Sequence, residues 1–187
     1  MRYDLATLLN RFEQVSQPDP YVYRWCHHHD GGSHDHHVVV SLMVHGNEFG
    51  SLPAALRIIE ALEAGVLSFG GRLTLTLGNP EAGLLGQRFI DSDLNRAWAF
   101  MPEATGHEAQ RAAEMRPIFD DADLLLDLHQ TILASETPFW IFPWNPIFGQ
   151  WARVLGTAPV GLTRPPGQAF AAPGLKCVDE YLSLIHI

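Results

Sequence analysis

The sequence predicts an α/β domain with a largely parallel sheet, and two patterns support this prediction. Short, continuously apolar segments that are rich in β-branched residues alternate with longer segments whose apolar residues recur at helical spacing. The first pattern is typical of strands buried on both faces, and the second is typical of amphipathic helices. Because the two kinds of segment alternate along the chain, we expect parallel strands that are covered by helices.

The composition indicates one globular domain. The chain has 187 residues, of which 47% are hydrophobic and 18% are charged, and this is enough to form a buried core. A formal net charge of −9 argues against nucleic acid or an anionic membrane as the main partner. No apolar run has the length of a membrane span, the N-terminus lacks a signal-peptide pattern, and the two cysteines form no disulfide framework. These features favour a cytoplasmic protein.

The first part of the chain is predicted to contain one helix and two strands. Residues 3–15 carry apolar side chains at helical spacing, and the segment QPDP then ends the helix. Residues 21–25 have strand composition, and residues 38–44 form a continuously apolar, β-branched strand. Between them, residues 27–37 contain six of the ten histidines, and a central Gly-Gly pair predicts a solvated hairpin loop.

The following segments continue the alternation. The stretch from Leu52 to Val66 carries one apolar helical stripe, with Ser51 as the expected N-cap and Pro53 in the first turn. The remaining predicted elements are a strand at 72–79, a helix at 107–119 and a strand at 122–129. From Pro138 onward the sequence is rich in aromatic residues, proline and glycine, and it predicts no definite element.

Two of the predicted strands end in side chains that bind metal ions. The strand 38–44 runs into the tetrapeptide His45-Gly-Asn-Glu48, and the strand 122–129 ends in His129. In an open α/β sheet, ligands bind beyond the carboxyl ends of the strands, so we expect these three side chains to meet there. Two histidines and one glutamate leave a fourth position open for water, which is the pattern of a catalytic zinc site.

A neighbouring aspartate fits the same interpretation. Side chains alternate along a strand, so Asp127 is expected to share a face with His129 and to orient an imidazole. The alternative is that these are ordinary polar residues at the ends of strands. Both His45 and His129 follow buried strands, where a solvated loop histidine has no special reason to lie, and this context favours the metal site.

A polar segment, RFIDSDLNR, lies between the two candidate metal-binding elements. It contains Arg88 and Arg96 together with Asp91, Asp93 and Asn95. An arginine can hold a carboxylate through two parallel hydrogen bonds, and it can also stabilise charge that develops on a carbonyl oxygen. The alternative is a solvated loop with internal Arg–Asp pairs, but the nearby candidate zinc site favours an anion-binding role.

Taken in order, HGNE (45–48), RFIDSDLNR (88–96) and DLH (127–129) resemble the succinylglutamate desuccinylase/aspartoacylase family. The members of that family are zinc hydrolases related to the zinc carboxypeptidases, and the resemblance covers roughly residues 36–145. It implies a carboxypeptidase-like, three-layer α/β fold with a central mixed, largely parallel sheet.

The resemblance also implies a role for each matching residue. One zinc ion would be bound by His45, Glu48 and His129. Arg88 would polarise the scissile carbonyl, and Asn95 and Arg96 would bind the free carboxylate of the substrate. Apart from the resemblance, we expect Asp127 and Asp93 to orient the metal-binding side chains.

Together these features predict a zinc-dependent hydrolase of the desuccinylase or deacylase type, which cleaves the amide bond of a small N-acyl amino acid with metal-activated water. A carboxylate base would take the proton of the water and deliver it to the leaving amine. A carboxypeptidase-type peptide hydrolase is an alternative, as is a non-catalytic protein that binds zinc or a carboxylate on the same fold. A metal carrier that relies on the histidines of residues 27–37 is a further alternative.

The family pattern also implies a general-base glutamate well downstream of the third zinc ligand. Glu136 follows His129 too closely, and Glu180 has flanking residues that match the pattern poorly. We therefore expect residues 1–181 to be a catalytic domain that is incomplete at its C-terminus. We expect residues 182–187, LSLIHI, to be a non-native tail, because this hexapeptide equals the translated end of a common sequencing adapter.

Overall fold

The computed structural model describes residues 4–27, 36–99, 105–131, 133, 136–143, 146–156 and 160–164. The helices in these ranges are α1 (Leu5–Val15), α2 (Leu52–Glu63), α3 (Pro80–Leu84), α4 (His107–Asp120) and α5 (Pro146–Leu155). The strands are β1 (Val22–His27), β2 (His37–Leu42), β3 (Gly71–Leu77), β4 (Leu124–Asp127), β5 (Phe139–Pro143) and β6 (Val160–Arg164). A 3₁₀ turn, Leu94–Arg96, lies between α3 and α4.

The first four strands form one mixed sheet in the order β1-β3-β2-β4. The central strand β2 pairs in parallel with both β3 and β4, whereas β1 pairs antiparallel with β3 at one edge. The prediction of an α/β domain with a largely parallel sheet is therefore confirmed. In the pairing of β2 with β4, Ser41 lies opposite Asp127, so the carboxyl ends of these two strands meet at one edge of the sheet.

Helices cover both faces of this sheet and give the domain three layers. Alternate residues of β2 face opposite sides, and Leu42 packs with α1 and α2 whereas Val39 packs with α4. On the first face, Phe12 of α1 and Ile59 of α2 are 0% and 1% exposed. On the second face, Phe119 of α4 is 1% exposed. Apolar burial on both faces explains why β2 reads as a continuous apolar run.

The structure moves the ends of several predicted elements, and the strands predicted at 72–79 and 122–129 are Gly71–Leu77 and Leu124–Asp127. The strand predicted at 38–44 ends at Leu42, because Met43 adopts a positive φ of 53° that a strand cannot continue. The helix that was expected to reach Val66 ends at Glu63, before Gly65 with a φ of 68°, and Val66 is 83% exposed. Pro53 does lie in the first turn of this helix, as predicted.

Two other local predictions are wrong. Ser51 precedes α2, but its side chain makes no capping hydrogen bond, because its own backbone is already helical. The hairpin turn predicted at Gly31-Gly32 lies outside the described residues, yet its two flanking strands do not pair with each other. The strand β3 lies between β1 and β2, so a hairpin that joins them is excluded.

One histidine of the histidine-rich segment has a structural role instead of lying in a solvated loop. His37 is 5% exposed at the start of β2. Its Nε2 lies 2.8 Å from Oγ1 of Thr74, and its Nδ1 lies 3.0 Å from the carbonyl oxygen of Asp121. These contacts pair both ring nitrogens, so His37 joins the sheet to the end of α4.

The segment after Pro138, for which the sequence predicted no element, forms a small β5-α5-β6 unit. Its two strands pair in parallel, with Phe139 opposite Val160. No helix among the described residues is long and apolar enough to span a membrane. The expected domain limits at 1–181 and the expected tail at 182–187 extend beyond the described residues and stay predictions.

We expect Phe119→Ala to lower the free energy of unfolding by about 3–5 kcal/mol, because it removes a buried ring and leaves a cavity. Phe119 stacks on Trp98 with ring centroids 4.9 Å apart. Urea unfolding followed by tryptophan fluorescence measures the change. Val66→Ala at an exposed position is the control and should change the free energy by less than about 0.5 kcal/mol. Equal effects of the two substitutions would contradict the packed core described here.

Candidate metal centre

The candidate metal centre lies where the carboxyl ends of β2 and β4 meet. His45 and Glu48 lie on the tight turn that follows β2, and His129 lies two residues beyond the end of β4. The sequence placed His45 just after its strand, as found, but it placed His129 at the end of a strand that stops at Asp127 in the structure. One ligand atom from each of the three side chains lies within 4.8 Å of the others. The structure therefore brings together the three residues that the sequence selected.

A close backbone contact fixes the turn that carries His45 and Glu48. The amide of Gly46 donates to the carbonyl oxygen of Arg88 at 2.9 Å, and the amide of Glu48 donates to the carbonyl oxygen of His45 at 2.9 Å. A Cβ on Gly46 would meet the backbone nitrogen of Gly83 at 2.3 Å. Glycine is required here because a side chain would push the turn away from α3.

An aspartate contacts the Nε2 atom of each histidine. The Nε2 atom of His45 lies 3.0 Å from Oδ1 of Asp93, and the Nε2 atom of His129 lies 2.8 Å from Oδ2 of Asp127. A carboxylate acceptor fixes the ring proton on Nε2, which leaves the lone pair of Nδ1 for a metal ion. The two Nδ1 atoms face Glu48, at 2.9 Å from its Oε1 and Oε2 respectively.

The chemistry of these donor atoms fits a divalent metal ion. His45 and Glu48 are only 2% and 5% exposed, whereas a third of the His129 side chain is accessible. The buried Nδ1 atom of His45 makes no hydrogen bond, although Oε1 of Glu48 is near. A buried polar atom without a partner is costly, and a metal ion would satisfy it. Two imidazole nitrogens and one carboxylate are ligands that zinc accepts.

The charges around His129 favour a cation at this position. Burial by itself lowers the pKa of His129, but the negative charges of Asp127 and Glu48 and their hydrogen bonds raise it to about 10. Burial likewise raises the pKa of Glu48, yet the hydrogen bond from His129, the nearby ring of His45 and the amide of Gln130 outweigh it and hold this pKa well below its usual range. The negative potential that retains a proton on His129 would also attract a metal ion in its place.

Arg88 reaches the same centre from the segment that precedes the 3₁₀ turn. Its Nη1 donates to Oε1 of Glu48 at 2.7 Å, and 37% of its side chain is accessible. Its Nη2 lies 2.8 Å from Nε2 of His45. Nε2 can accept from this guanidinium only when the ring proton is on Nδ1, so the contact with Arg88 and the hydrogen bond to Asp93 belong to different protonation states of the ring. A partly exposed guanidinium thus lies at the edge of the centre.

The 3₁₀ turn places Asn95 and Arg96 beside Asp93. Asp93 begins the turn and accepts a hydrogen bond from the amide of Asn95 at 2.8 Å. Burial raises the pKa of Asp93, but the hydrogen bond from His45 and the positive charge of Arg96 contribute to keeping it below its usual range. Leu94, which is 0% exposed, anchors the turn in the core next to α4. Asn95 and Arg96, both half-buried, therefore follow closely on a residue that contacts His45.

Sequence reasoning missed one polar residue at this site and another that contacts the arginine-containing segment. The amide of Gln130 donates to Oε2 of Glu48 at 3.0 Å, and its side-chain oxygen accepts from the amide of Gly50 at 2.7 Å. Glu108, in the first turn of α4, is 0% exposed and accepts four hydrogen bonds. The position of Gln130 next to His129 could have indicated its role. Glu108 gave no such indication, because acidic residues are common in the first turn of a helix.

The general base that the resemblance implies is not located by the structure. Glu136 is exposed in the short segment before β5, and Glu180 lies outside the described residues. Among the described carboxylates, Glu48, Asp93 and Asp127 contact the histidines of the centre. The identity of the base therefore stays a prediction.

Comparison with known proteins identifies the family of this chain. Residues 35–165 match the model of the succinylglutamate desuccinylase/aspartoacylase catalytic domain. The succinylglutamate desuccinylase of Pseudomonas paraeruginosa is 35% identical over 116 residues, which cover 57% of this chain and 35% of that protein. That of Burkholderia thailandensis is 39% identical over 80 residues, which cover 42% and 23% of the two chains. The chain thus spans at most 35% of the length of these curated relatives.

Solved structures show the same fold. The structure of succinylglutamate desuccinylase from Vibrio parahaemolyticus superposes with a TM-score of 0.72 at 19% identity, and the match covers 88% of this chain and 58% of that one. That from Chromobacterium violaceum gives 0.61 at 25% identity, with 81% and 52% covered. Murine aminoacylase 3 gives 0.59 at 21% identity, with 83% and 55% covered. On its sequence and its fold, this chain belongs to the succinylglutamate desuccinylase/aspartoacylase family.

Proposed function

We propose that the protein to which this chain belongs is a zinc-dependent hydrolase that cleaves the amide bond of a small N-acyl amino acid. The observation that carries this proposal is the convergence of His45, Glu48 and His129, with an aspartate behind each histidine. Membership of a family that includes succinylglutamate desuccinylases supports amide hydrolysis as the reaction.

The three ligands would be Nδ1 of His45, the carboxylate of Glu48 and Nδ1 of His129. A zinc ion held by them supplies Lewis acidity, which lowers the pKa of water to near neutrality and polarises a carbonyl group. Asp93 and Asp127 keep the ring protons on the outer nitrogens, so that both Nδ1 lone pairs point inward. This role for the two aspartates is part of the proposal.

Arg88 is proposed to stabilise the negative charge that develops on the substrate's carbonyl oxygen. Its guanidinium is already at the edge of the centre, where it donates to Glu48. Because the group is cationic and partly buried, its interaction with a developing oxyanion is stronger than in water. The fold holds the backbone of Arg88 in place through the hydrogen bond that Gly46 donates to it.

Asn95 and Arg96 are proposed to bind the free carboxylate of the amino acid. They lie on one rigid 3₁₀ turn beside Asp93, so a carboxylate held there is close to the metal centre. A planar guanidinium suits a carboxylate because it offers two parallel donors. Binding at this point would orient the amide bond towards the reacting groups.

A carboxylate that is not engaged with the histidines is proposed as the general base. It would take a proton from water and give it to the leaving amine. Since Glu48, Asp93 and Asp127 already contact the histidines, we place this group outside the described residues, with Glu180 as one candidate.

The experiment that tests the proposed function uses the full-length protein loaded with zinc. Acetylated and succinylated amino acids and short peptides with free C-termini are offered as substrates, and amine release is measured. Hydrolysis of the acyl amino acids supports the proposal. Preferential hydrolysis of the peptides would instead show a carboxypeptidase, and stoichiometric zinc without any turnover would show a binding protein.

We expect His129→Ala to remove most of the bound zinc, because one of three ligands is lost. Asp127→Asn should lower zinc affinity by about 10- to 100-fold through its effect on the ring of His129. Metal content after dialysis, measured by atomic emission, checks both expectations. His36→Ala is the matched control, since 75% of the His36 side chain is accessible and it lies near Asp123, not at the centre. Unchanged zinc in His129→Ala would refute the ligand assignment.

We expect Arg88→Ala to lower kcat by about 10²- to 10³-fold while KM changes little, because the charge on the oxygen develops only in the transition state. Zinc content should stay at the wild-type level. Arg88→Lys retains the charge but not the planar fork, and an intermediate kcat is expected. A higher KM with an unchanged kcat would show instead that Arg88 binds the substrate in its ground state.

We expect Arg96→Ala to raise KM by about 10- to 100-fold for a substrate with a free carboxylate, since a charged, two-donor contact is lost. The effect should shrink when the carboxylate is amidated. Arg57→Ala, on the exposed face of α2, is the control and should leave both substrates unaffected. Equal losses for the free acid and the amide would show that Arg96 is structural.

A further inference from the structure

Glu108 is a buried carboxylate outside the metal centre. It lies in the first turn of α4 and is 0% exposed. Its Oε1 accepts hydrogen bonds from Nδ2 of Asn79 at 2.7 Å and from the amide of Ile90 at 2.6 Å. Its Oε2 accepts from the amides of Asp91 and Ser92, each at 3.0 Å. Three consecutive backbone amides of the arginine-containing segment therefore point at one side chain.

Only an ionised carboxylate satisfies these four donors. It offers about four acceptor sites and no donor. If glutamine replaced Glu108, the two hydrogens of its amide would face two N–H groups, and donors cannot bond to donors. Burial raises the pKa of Glu108, but the hydrogen bonds from Ile90 and its neighbours outweigh burial and keep this pKa below its usual range. The charge is therefore retained inside the protein, and its four donors compensate for its burial.

The contact between the loop and the helix is reciprocal. The Oδ2 atom of Asp91 accepts a hydrogen bond from the amide of His107, the first residue of α4, at 2.7 Å. Gly106, just before the helix, has a φ of 115°, and a Cβ there would lie 3.0 Å from Oδ2 of Asp91. Residues 90–92 and the start of α4 thus bind each other in both directions, as in a capping box that spans two segments.

Residues 90–92, which bond to the start of α4, lie in the sequence between two residues of the metal centre. Residues 90–92 follow Arg88 by two positions and precede Asp93 directly. Arg88 contacts Glu48, and Asp93 contacts His45. Glu108 itself touches neither of them, so any influence on the centre passes through the backbone of the loop.

We propose that Glu108 is a positioning residue, whose buried carboxylate fixes residues 90–92 and thereby places Arg88 and Asp93 at the centre. This inference rests on the function proposed above. A displacement of about 1 Å in a group that contacts the reacting atoms costs on the order of 100-fold in rate. Loss of the four hydrogen bonds would free the loop to make such displacements.

The test compares Glu108→Gln with wild type in the full-length, zinc-loaded protein. We expect amide hydrogen exchange in residues 88–96 to become at least about tenfold faster, since the acceptor of these amides is weakened. At saturating zinc, kcat should fall by about 10- to 100-fold with a smaller change in KM. Zinc affinity should fall by up to about tenfold, because Asp93 then orients His45 less well.

A buried residue on the same helix provides the control. Arg111 donates to the carbonyl oxygens of Leu77 and Gly78 and does not bond to the loop. Arg111→Met should lower the melting temperature but leave the exchange of residues 88–96 and kcat per bound zinc unchanged. A purely structural role for Glu108 would make the two variants behave alike, and this result would overturn the proposal.

A second variant covers the case in which Glu108→Gln does not fold. Asp91→Ala removes the reciprocal bond at an exposed position and should change exchange and kcat in the same direction by smaller factors. Unchanged exchange, or faster exchange with unchanged kcat, would overturn the proposal. A wild-type protein that binds zinc without turnover would refute the proposed function. In that case, exchange and zinc affinity still decide the role of Glu108.

Discussion

Parallel pairing between β2 and β4 is the constraint on which the candidate metal centre depends. Ser41 and Asp127 are register partners, and the amide of Leu128 donates to the carbonyl oxygen of Ser41 at 2.9 Å. This register carries Glu48 and His129, which are 81 residues apart in the chain, to the same edge of the sheet. A shift by one residue would turn the side chains of β4 to the opposite face and separate the groups. Pairing of β2 with β3 on one side and with β4 on the other holds that register.

Charge compensation explains how so many ionisable groups coexist at this edge. The carboxylate of Glu48 is almost fully buried, but it is contacted by two histidines, Arg88 and the amide of Gln130. Such a carboxylate is costly to bury unless cations or donors surround it. The same potential suits a divalent ion, so the arrangement serves the fold and the proposed chemistry together.

Residues 88–96 do not form a free solvated loop, although their composition allowed that interpretation. Its backbone amides converge on Glu108, Asp91 bonds to the start of α4, and Leu94 is buried in the core. These contacts make the segment a rigid support for Arg88 and Asp93. Precise placement of polar groups requires such support, because flexible side chains lose their orientation.

The sequence by itself determined the alternation of helices and strands, the buried strands and the three candidate ligands, because apolar periodicity and chemically distinctive residues are local signals. The tertiary structure alone decided that β3 lies between β1 and β2, since strand order depends on pairing between distant segments. It also decided that Glu108 holds the arginine-containing segment and that His37 is buried in the sheet. A buried carboxylate and a surface carboxylate look the same in a sequence, because the donors that compensate the charge come from elsewhere in the chain.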